Sequence, residues 1–154
     1  MSLEPTLPGE HYLSPEIFAR ERERIFFREW FCAGREEQLC DVGDYLVLNV
    51  AGESVLVVRT KAQSLAAFYN VCRHRGSQLV LPAVEPNLPG TEADGCFGGT
   101  NPCPYHSWTY NLDGTLPTAP YIEDGPNLCK TDLPLYPVGV TRAEEFDFLN
   151  TYPM

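Results

Sequence analysis

The stretches Cys72-Arg73-His74-Arg75-Gly76 and Cys103-Pro104-Tyr105-His106-Ser107-Trp108 decide the fold, because each places a cysteine two or three residues before a histidine. We call them the first and the second Cys-His loop. Thiolates and imidazoles are side chains that bind transition metals in proteins. The loops therefore predict a metal centre with two thiolate and two imidazole ligands, supplied by Cys72, His74, Cys103 and His106.

The mixture of ligand types favours a [2Fe–2S] cluster. Thiolates hold iron and bridging sulfide firmly, whereas neutral imidazoles lower the negative charge around the second iron and make it easier to reduce. Structural zinc also takes two cysteines and two histidines, but its usual spacing groups like ligands, as Cys-x2–4-Cys followed by His-x3–5-His. Each loop here mixes the two types. A zinc-stabilised interaction domain is the alternative without redox chemistry.

The two loops and their flanks resemble a known family. Residues 70–76 and 103–110 are similar to the cluster-binding loops of the Rieske non-haem iron (ring-hydroxylating) oxygenases, in the N-terminal Rieske domain of their large, or alpha, subunit. The similarity continues through residues 15–26 upstream and 111–116 downstream, and it covers nearly all of the 154 residues. The resemblance implies a Rieske-type [2Fe–2S] cluster bound by Cys72, His74, Cys103 and His106.

The expected fold is all-β, a Rieske-type antiparallel β-sandwich that carries a small cluster-binding subdomain of two loops, plus an N-terminal helical arm. Residues 1–42 are the predicted arm and residues 43–154 the predicted Rieske domain. The cluster-binding subdomain is expected over about 70–117. Within it, residues 82–101 are rich in Pro and Gly, which predicts an inserted surface loop.

Local patterns support this outline. Ser14 is a predicted N-cap, and apolar residues at helical spacing predict a helix over 15–29. Asp113-Gly114 predicts a hairpin turn between short strands. Residues 146–149 predict a closing strand. Apolar runs bounded by turn residues predict three further strands in series, at 45–50, 55–58 and 65–69.

Three positions near the ligands depart from related proteins. Respiratory Rieske proteins carry two further cysteines, joined by a disulfide beside the cluster, where this chain has Ser77 and Tyr105. We therefore expect a reduction potential toward the low end of the Rieske range, about −150 mV. Ser107 stands where the family commonly has Gly, and its side chain predicts a negative φ at that position.

Four neighbours of the ligands are expected to tune the cluster rather than bind it. The resemblance implies that Arg75 supports the ligand loops structurally, and the aromatic rings of Tyr105, Trp108 and Tyr110 are large enough to shield sulfur from water. These residues are Arg75, Tyr105, Trp108 and Tyr110. The remaining cysteines lack a histidine at the loop spacing and are expected to be free thiols rather than ligands; they are Cys32, Cys40, Cys96 and Cys129.

The resemblance implies electron transfer, from a ferredoxin or reductase toward a mononuclear iron in a catalytic oxygenase domain or a neighbouring subunit. That iron takes two His and a carboxylate, and this sequence has only one further histidine, His11. We therefore expect the mononuclear iron in a separate C-terminal domain, and no complete oxygenase activity from this chain alone. A stand-alone Rieske ferredoxin is the alternative, disfavoured by the helical arm. The implied substrates are aromatic acids or quaternary amines such as glycine betaine.

Composition limits the partners and the setting. A net charge of −10 and a pI near 4.6 argue against nucleic acid or an anionic membrane as a ligand, and favour an electron donor with a basic patch. No apolar run is long enough to cross a bilayer, and the first residues lack the pattern of a signal peptide. Six scattered cysteines are typical of a reducing compartment, so we expect a cytoplasmic protein.

Overall fold

The computed structural model describes residues 5–84, 91–125, 128–144 and 146–151. These ranges contain nine strands, connected by turns and short helical segments. The strands are β1 (Phe31–Arg35), β2 (Asp44–Val50), β3 (Glu53–Arg59), β4 (Leu65–Tyr69), β5 (Ala93–Cys96), β6 (Thr100–Pro102), β7 (Thr109–Asn111), β8 (Pro137–Ala143) and β9 (Phe146–Asn150).

Seven strands form one antiparallel sheet in the order β1-β9-β8-β4-β3-β2-β5, and β6 pairs with β7 in a small second sheet. Strand β8 joins two halves of the large sheet, since Pro137 and Val138 pair with β4 whereas residues 139–143 pair with β9. Both halves contribute to one apolar core, which includes Leu46, Val55, Val57, Val138 and Leu149. The predicted all-β fold is confirmed.

Strand β3 is buried on both faces because apolar residues occupy both sides of its pleat. Val55 and Val57 point into the core between the two halves. Val58 points to the opposite face and packs in a second core, which contains Cys72 and Cys103. The most deeply buried strand of the sheet therefore supports the part of the chain that holds the predicted ligands.

The N-terminal helix is shorter than predicted. Helix α1 spans Pro15–Glu21, and Ser14 Oγ accepts a hydrogen bond from Ile17 N at 3.3 Å, as expected of an N-cap. The chain then continues as a π-helical turn, Arg22–Phe26, instead of an α-helix to residue 29. Short 3-10 segments occupy Gly9–Tyr12, Glu36–Gln38 and Lys130–Asp132. None of the helices in the described ranges has the length and apolar content to cross a membrane.

Four strands, β1, β5, β6 and β8, occur where the sequence did not predict them. Strand β1 lies inside residues 1–42, the expected helical arm, and pairs with β9. Strand β5 lies inside residues 82–101, the expected surface loop, and pairs with β2. Residues 85–90 of that loop lie outside the described residues. Pairing with a strand distant in sequence stabilises β1 and β5 as strands, although local residue preferences do not predict them.

The turn at Asp113-Gly114 forms as predicted. Asn111 N donates to Thr115 O at 2.9 Å, and Gly114 has a φ of +82°. A Cβ at Gly114 would collide with the ring of Phe68, so the turn needs glycine for both its φ and its close approach. No regular strand follows the turn: the segment after it pairs with β7 only through an isolated antiparallel bridge between Thr109 and Thr118, while β6 pairs with β7 over three residues.

Asp147 provides a test of the sheet's electrostatics. This residue of β9 is 1% exposed, its carboxylate has no hydrogen-bond partner, and Arg142 Nε lies 3.9 Å from Oδ1. Burial raises the pKa of Asp147 in spite of the opposing charges of Arg142 and Arg59. The folded state therefore binds the proton more tightly than the unfolded state. The contribution of Asp147 to stability is present below the pKa of the unfolded state and is lost as the pH rises through the higher pKa of the folded state.

We expect Asp147→Asn to raise the free energy of unfolding at pH 7 by about 1 kcal/mol, since it removes an incompletely paired buried charge. Urea unfolding between pH 4 and pH 7 measures the effect. The advantage of the variant should shrink toward pH 4. A variant less stable than the wild type at pH 7 would show that Arg142 and Arg59 compensate the carboxylate fully.

Candidate metal centre

The two Cys-His loops are built on the same turn. In the first loop, Gly76 N donates to Cys72 O at 3.0 Å, and Cys72 N donates to Ser77 O at 2.8 Å. In the second loop, Ser107 N donates to Cys103 O at 3.0 Å, and Cys103 N donates to Trp108 O at 2.8 Å. Each cysteine therefore begins a turn closed by two backbone hydrogen bonds, and each histidine lies within the turn.

The residue that closes each turn has a left-handed conformation. Gly76 has a φ of +70° and Ser107 a φ of +58°. The expectation of a negative φ at Ser107 is wrong, because the shared turn imposes the same conformation on both loops whatever residue occupies the position. For a residue with a Cβ this conformation costs about 1 kcal/mol or more.

The structure brings the four predicted ligands together. Cys72 and Cys103 are buried, 2% and 3% exposed, in the same apolar cluster, and their thiols are close enough to interact. His74 and His106 are half-buried, and their ring centroids lie 4.8 Å apart. Two thiols therefore lie on the inner side of the site and two imidazoles lie nearer the surface.

The predicted neighbours divide into buried and exposed groups. Trp108 is buried, and its ring stacks on His74 with centroids 4.7 Å apart and an interplanar angle of 10°. Tyr105 is 58% exposed and lies against His106 at 3.8 Å between centroids. Most of its side chain therefore lies on the surface. Arg75 is exposed, and its charge helps to lower the pKa of His74.

Tyr110 is completely buried and connects the two loops. Its hydroxyl oxygen lies 3.3 Å from Cys72 Sγ and accepts a hydrogen bond from Arg73 N at 3.1 Å. Since the backbone amide can only donate, the single hydroxyl proton is free to point at the sulfur. Burial raises the pKa of Tyr110, which keeps this donor protonated.

Comparison with known proteins identifies the family. Residues 29–151 match the protein family described as "Rieske [2Fe-2S] domain". This chain belongs to the Rieske [2Fe–2S] domain family. The chain is 33% identical over 148 residues to the carnitine monooxygenase oxygenase subunit of Escherichia coli K12, a match that covers 96% of this chain and 37% of that protein. It is 37% identical over 145 residues to the glycine betaine monooxygenase oxygenase subunit of Chromohalobacter salexigens, covering 94% and 30%.

Solved structures of Rieske oxygenases are also similar to this chain. A quaternary ammonium Rieske monooxygenase in complex with gamma-butyrobetaine matches with a TM-score of 0.81 and 34% identity, over 95% of this chain and 39% of that one. Naphthalene 1,2-dioxygenase from Rhodococcus sp. matches with a TM-score of 0.82 and 30% identity, over 96% and 32%. The chain thus spans between 30% and 39% of the length of these relatives. The predicted resemblance to Rieske oxygenase subunits is confirmed.

The donors of this Rieske domain fit a [2Fe–2S] cluster. His106 Nδ1 is buried without a hydrogen-bond partner, so it is available to a metal. Burial, with the charges of His106 and Arg75, lowers the pKa of His74 and favours the neutral imidazole that binds metal. Within the described ranges no group of three or more His, Cys, Asp or Glu side chains is placed to hold one metal ion; a Rieske cluster takes only two protein ligands per iron.

Asn70 is a positioning residue to which the sequence analysis assigned no role. Its buried side chain donates to Val80 O at 2.7 Å and accepts from Leu79 N and Val80 N at 3.1 and 3.0 Å. These bonds tie the segment after the first loop back to the residue before it. The signal in the sequence was an amide side chain at the end of an apolar strand, just before Cys72.

Ser107 gives a direct test of the shared turn. We expect Ser107→Gly to raise the free energy of unfolding by about 0.5 to 1 kcal/mol, because glycine adopts a positive φ at little cost. The matched control is Ser77→Gly in the first loop, where φ is not positive. That change should destabilise by a similar amount, because it only adds freedom to the unfolded chain. Effects of the same sign in both variants, measured by urea unfolding, would contradict the assigned backbone conformation.

Proposed function

We propose that Cys72, His74, Cys103 and His106 hold one [2Fe–2S] cluster, and that the domain transfers single electrons as the N-terminal part of a Rieske oxygenase alpha subunit. The observation that carries the proposal is the pair of identical turns, which presents two buried thiols and two half-buried imidazoles at one site. When bound, the cluster supplies one-electron chemistry. The protein supplies the ligands, an apolar cover and a short path from the imidazoles to the surface.

The partners follow from this role. We propose that a ferredoxin or reductase delivers the electron, and that a mononuclear iron in the catalytic oxygenase domain, of the same or a neighbouring subunit, receives it. The relatives named for carnitine and glycine betaine, together with the choline monooxygenase of Beta vulgaris at 36% identity, support a monooxygenase of quaternary ammonium substrates as the whole enzyme. None of the six cysteines, all of which lie in the described ranges, is in a disulfide, which supports a reducing, cytoplasmic setting.

The proposal is tested by an anaerobic redox titration followed by electron paramagnetic resonance, with an iron and sulfide assay on the same sample. We expect two irons and two sulfides per chain and a reversible one-electron signal, with a midpoint toward the low end of the Rieske range, about −150 mV. Bound zinc without sulfide would contradict the electron-transfer role and favour a zinc-stabilised interaction domain.

The ligand assignment is tested by two cysteine variants that differ only in position. Cys103→Ser should abolish cluster binding, because it removes one of the two thiolates. Cys96→Ser is the matched control: Cys96 lies exposed on β5 and its thiol contacts backbone carbonyls of Val42 and Phe97. The control should keep full iron and sulfide content. Loss of iron in Cys96→Ser with retention in Cys103→Ser would reverse the assignment.

Tyr110 is expected to raise the reduction potential. Reduction adds negative charge to the cluster, and a hydroxyl that donates to Cys72 Sγ stabilises that charge. Tyr110→Phe should therefore lower the midpoint by about 40 mV, the equivalent of one hydrogen bond of about 1 kcal/mol for a one-electron couple. Tyr69→Phe, which removes a hydroxyl that donates to Thr151 O, is the control and should leave the midpoint unchanged. Equal midpoints in wild type and Tyr110→Phe would show that the hydroxyl does not donate to the sulfur.

A further inference from the structure

The surface around the Cys-His loops differs in charge from the rest of the chain. The protein has 21 acidic and 11 basic residues, yet residues 70–84 and 95–112 contain no Asp or Glu at all. The same two segments contain Arg73 and Arg75, on either side of His74. Within these two segments, the charged side chains beside the imidazoles are therefore positive, although the protein as a whole is strongly acidic.

The two arginines carry uncompensated charge. In the described ranges neither Arg73 nor Arg75 forms a salt bridge, whereas Arg35 pairs with Glu37 at 2.8 Å and Arg142 pairs with Glu36 at 2.6 Å. A positive charge without a carboxylate partner attracts an approaching anionic surface more strongly than a charge that is already paired. The positive potential beside the histidines is therefore available to a partner.

The surface is also preorganised. Arg73 Nη1 donates to Pro134 O at 2.8 Å, and its guanidinium lies over the ring of Tyr136, 4.0 Å from the centroid. Tyr136 is 50% exposed and Tyr105 is 58% exposed. Tyrosine and arginine are enriched at protein interfaces, and the contacts of Arg73 with Pro134 and Tyr136 already order its long side chain. We call Arg73, Arg75, Tyr105 and Tyr136 the docking patch.

We propose that the docking patch binds the electron donor through an acidic surface on that donor. This inference rests on the proposed electron-transfer function and names the kind of partner for the same site. It replaces the expectation, drawn from the net charge of −10, of a donor with a basic patch. Overall charge acts over a distance that salt shortens to about 10 Å at 0.1 M, so the local charge at the contact decides which surface can dock.

The test measures how fast an acidic plant-type [2Fe–2S] ferredoxin reduces the cluster-loaded protein, by stopped-flow absorbance at increasing ionic strength. In the wild type the rate constant should fall as salt is added, because screening weakens an attraction. Arg75→Gln should lower the rate by about three- to tenfold at low salt and flatten the salt dependence. The matched control is Arg20→Gln on the exposed side of helix α1, which changes the net charge equally and should behave as the wild type.

Three outcomes overturn the inference. One is a rate that rises with salt in the wild type, which would show that repulsion between the two acidic proteins dominates. Another is an equal effect of Arg20→Gln and Arg75→Gln, which would assign the effect to net charge alone. The third is a slower rate in Arg75→Gln that persists at high salt, which would assign the effect to a changed driving force rather than to docking.

Reduction by dithionite separates this inference from the proposed function. If dithionite reduces a [2Fe–2S] cluster in the wild type and in both variants, the electron-transfer site is intact, and a missing salt effect contradicts only the docking patch. If no cluster is present, or dithionite does not reduce it, the proposed function itself fails. Arg75 is exposed and makes no described hydrogen bond, so the variant should fold; circular dichroism checks this.

Discussion

The metal centre depends on two turns that are closed by the same pair of backbone hydrogen bonds. Each turn begins at a buried cysteine and ends at a residue in the left-handed region, Gly76 in the first loop and Ser107 in the second. The bonds consume the backbone donors and acceptors that would otherwise be unsatisfied beside an apolar core. They also hold the backbone segments that carry the two thiols and the two imidazoles at one site.

The large sheet makes this arrangement rigid. Strand β4 leads directly into the first loop, and the small sheet of β6 and β7 flanks the second. Val58 and Phe68 from the large sheet pack in the same core as Cys72 and Cys103. Asn70 then ties the chain after the first loop to its start. Burial of the thiols and exposure of the imidazole side follow from this packing, and they suit a site that exchanges electrons at the surface.

The sequence was sufficient for the features that depend on local pattern. Short-range spacing and residue type were enough to predict three sets of features. These are the four proposed ligands, the strands at 45–50, 55–58 and 65–69, and the Asp113-Gly114 turn. The structure brings the ligands together, and it confirms the strands and the turn. Ligation of the cluster by these four residues is our proposal, supported by the donor set and by the family.

The features that the sequence did not predict depend on contacts between distant residues. Phe31–Arg35 lacks a clear alternating pattern and becomes a strand through β9, more than 100 residues later. Ala93–Cys96 contains Asp and Gly, which disfavour strands, and is held by β2. The positive φ of Ser107 follows from the turn that it closes rather than from its residue type. The expectation of a basic donor used only the net charge of the whole chain, which does not show that Arg73 and Arg75 lie beside His74.

The most direct test of the account is the nitrogen hyperfine coupling of the reduced cluster, measured by pulsed electron paramagnetic resonance on protein labelled with ¹⁵N-histidine. If Cys72 and Cys103 bind one iron and His74 and His106 the other, the spectrum must show two strongly coupled histidine nitrogens. A reduced cluster without histidine coupling would contradict the central claim, since it would show that the two turns do not present both imidazoles to iron.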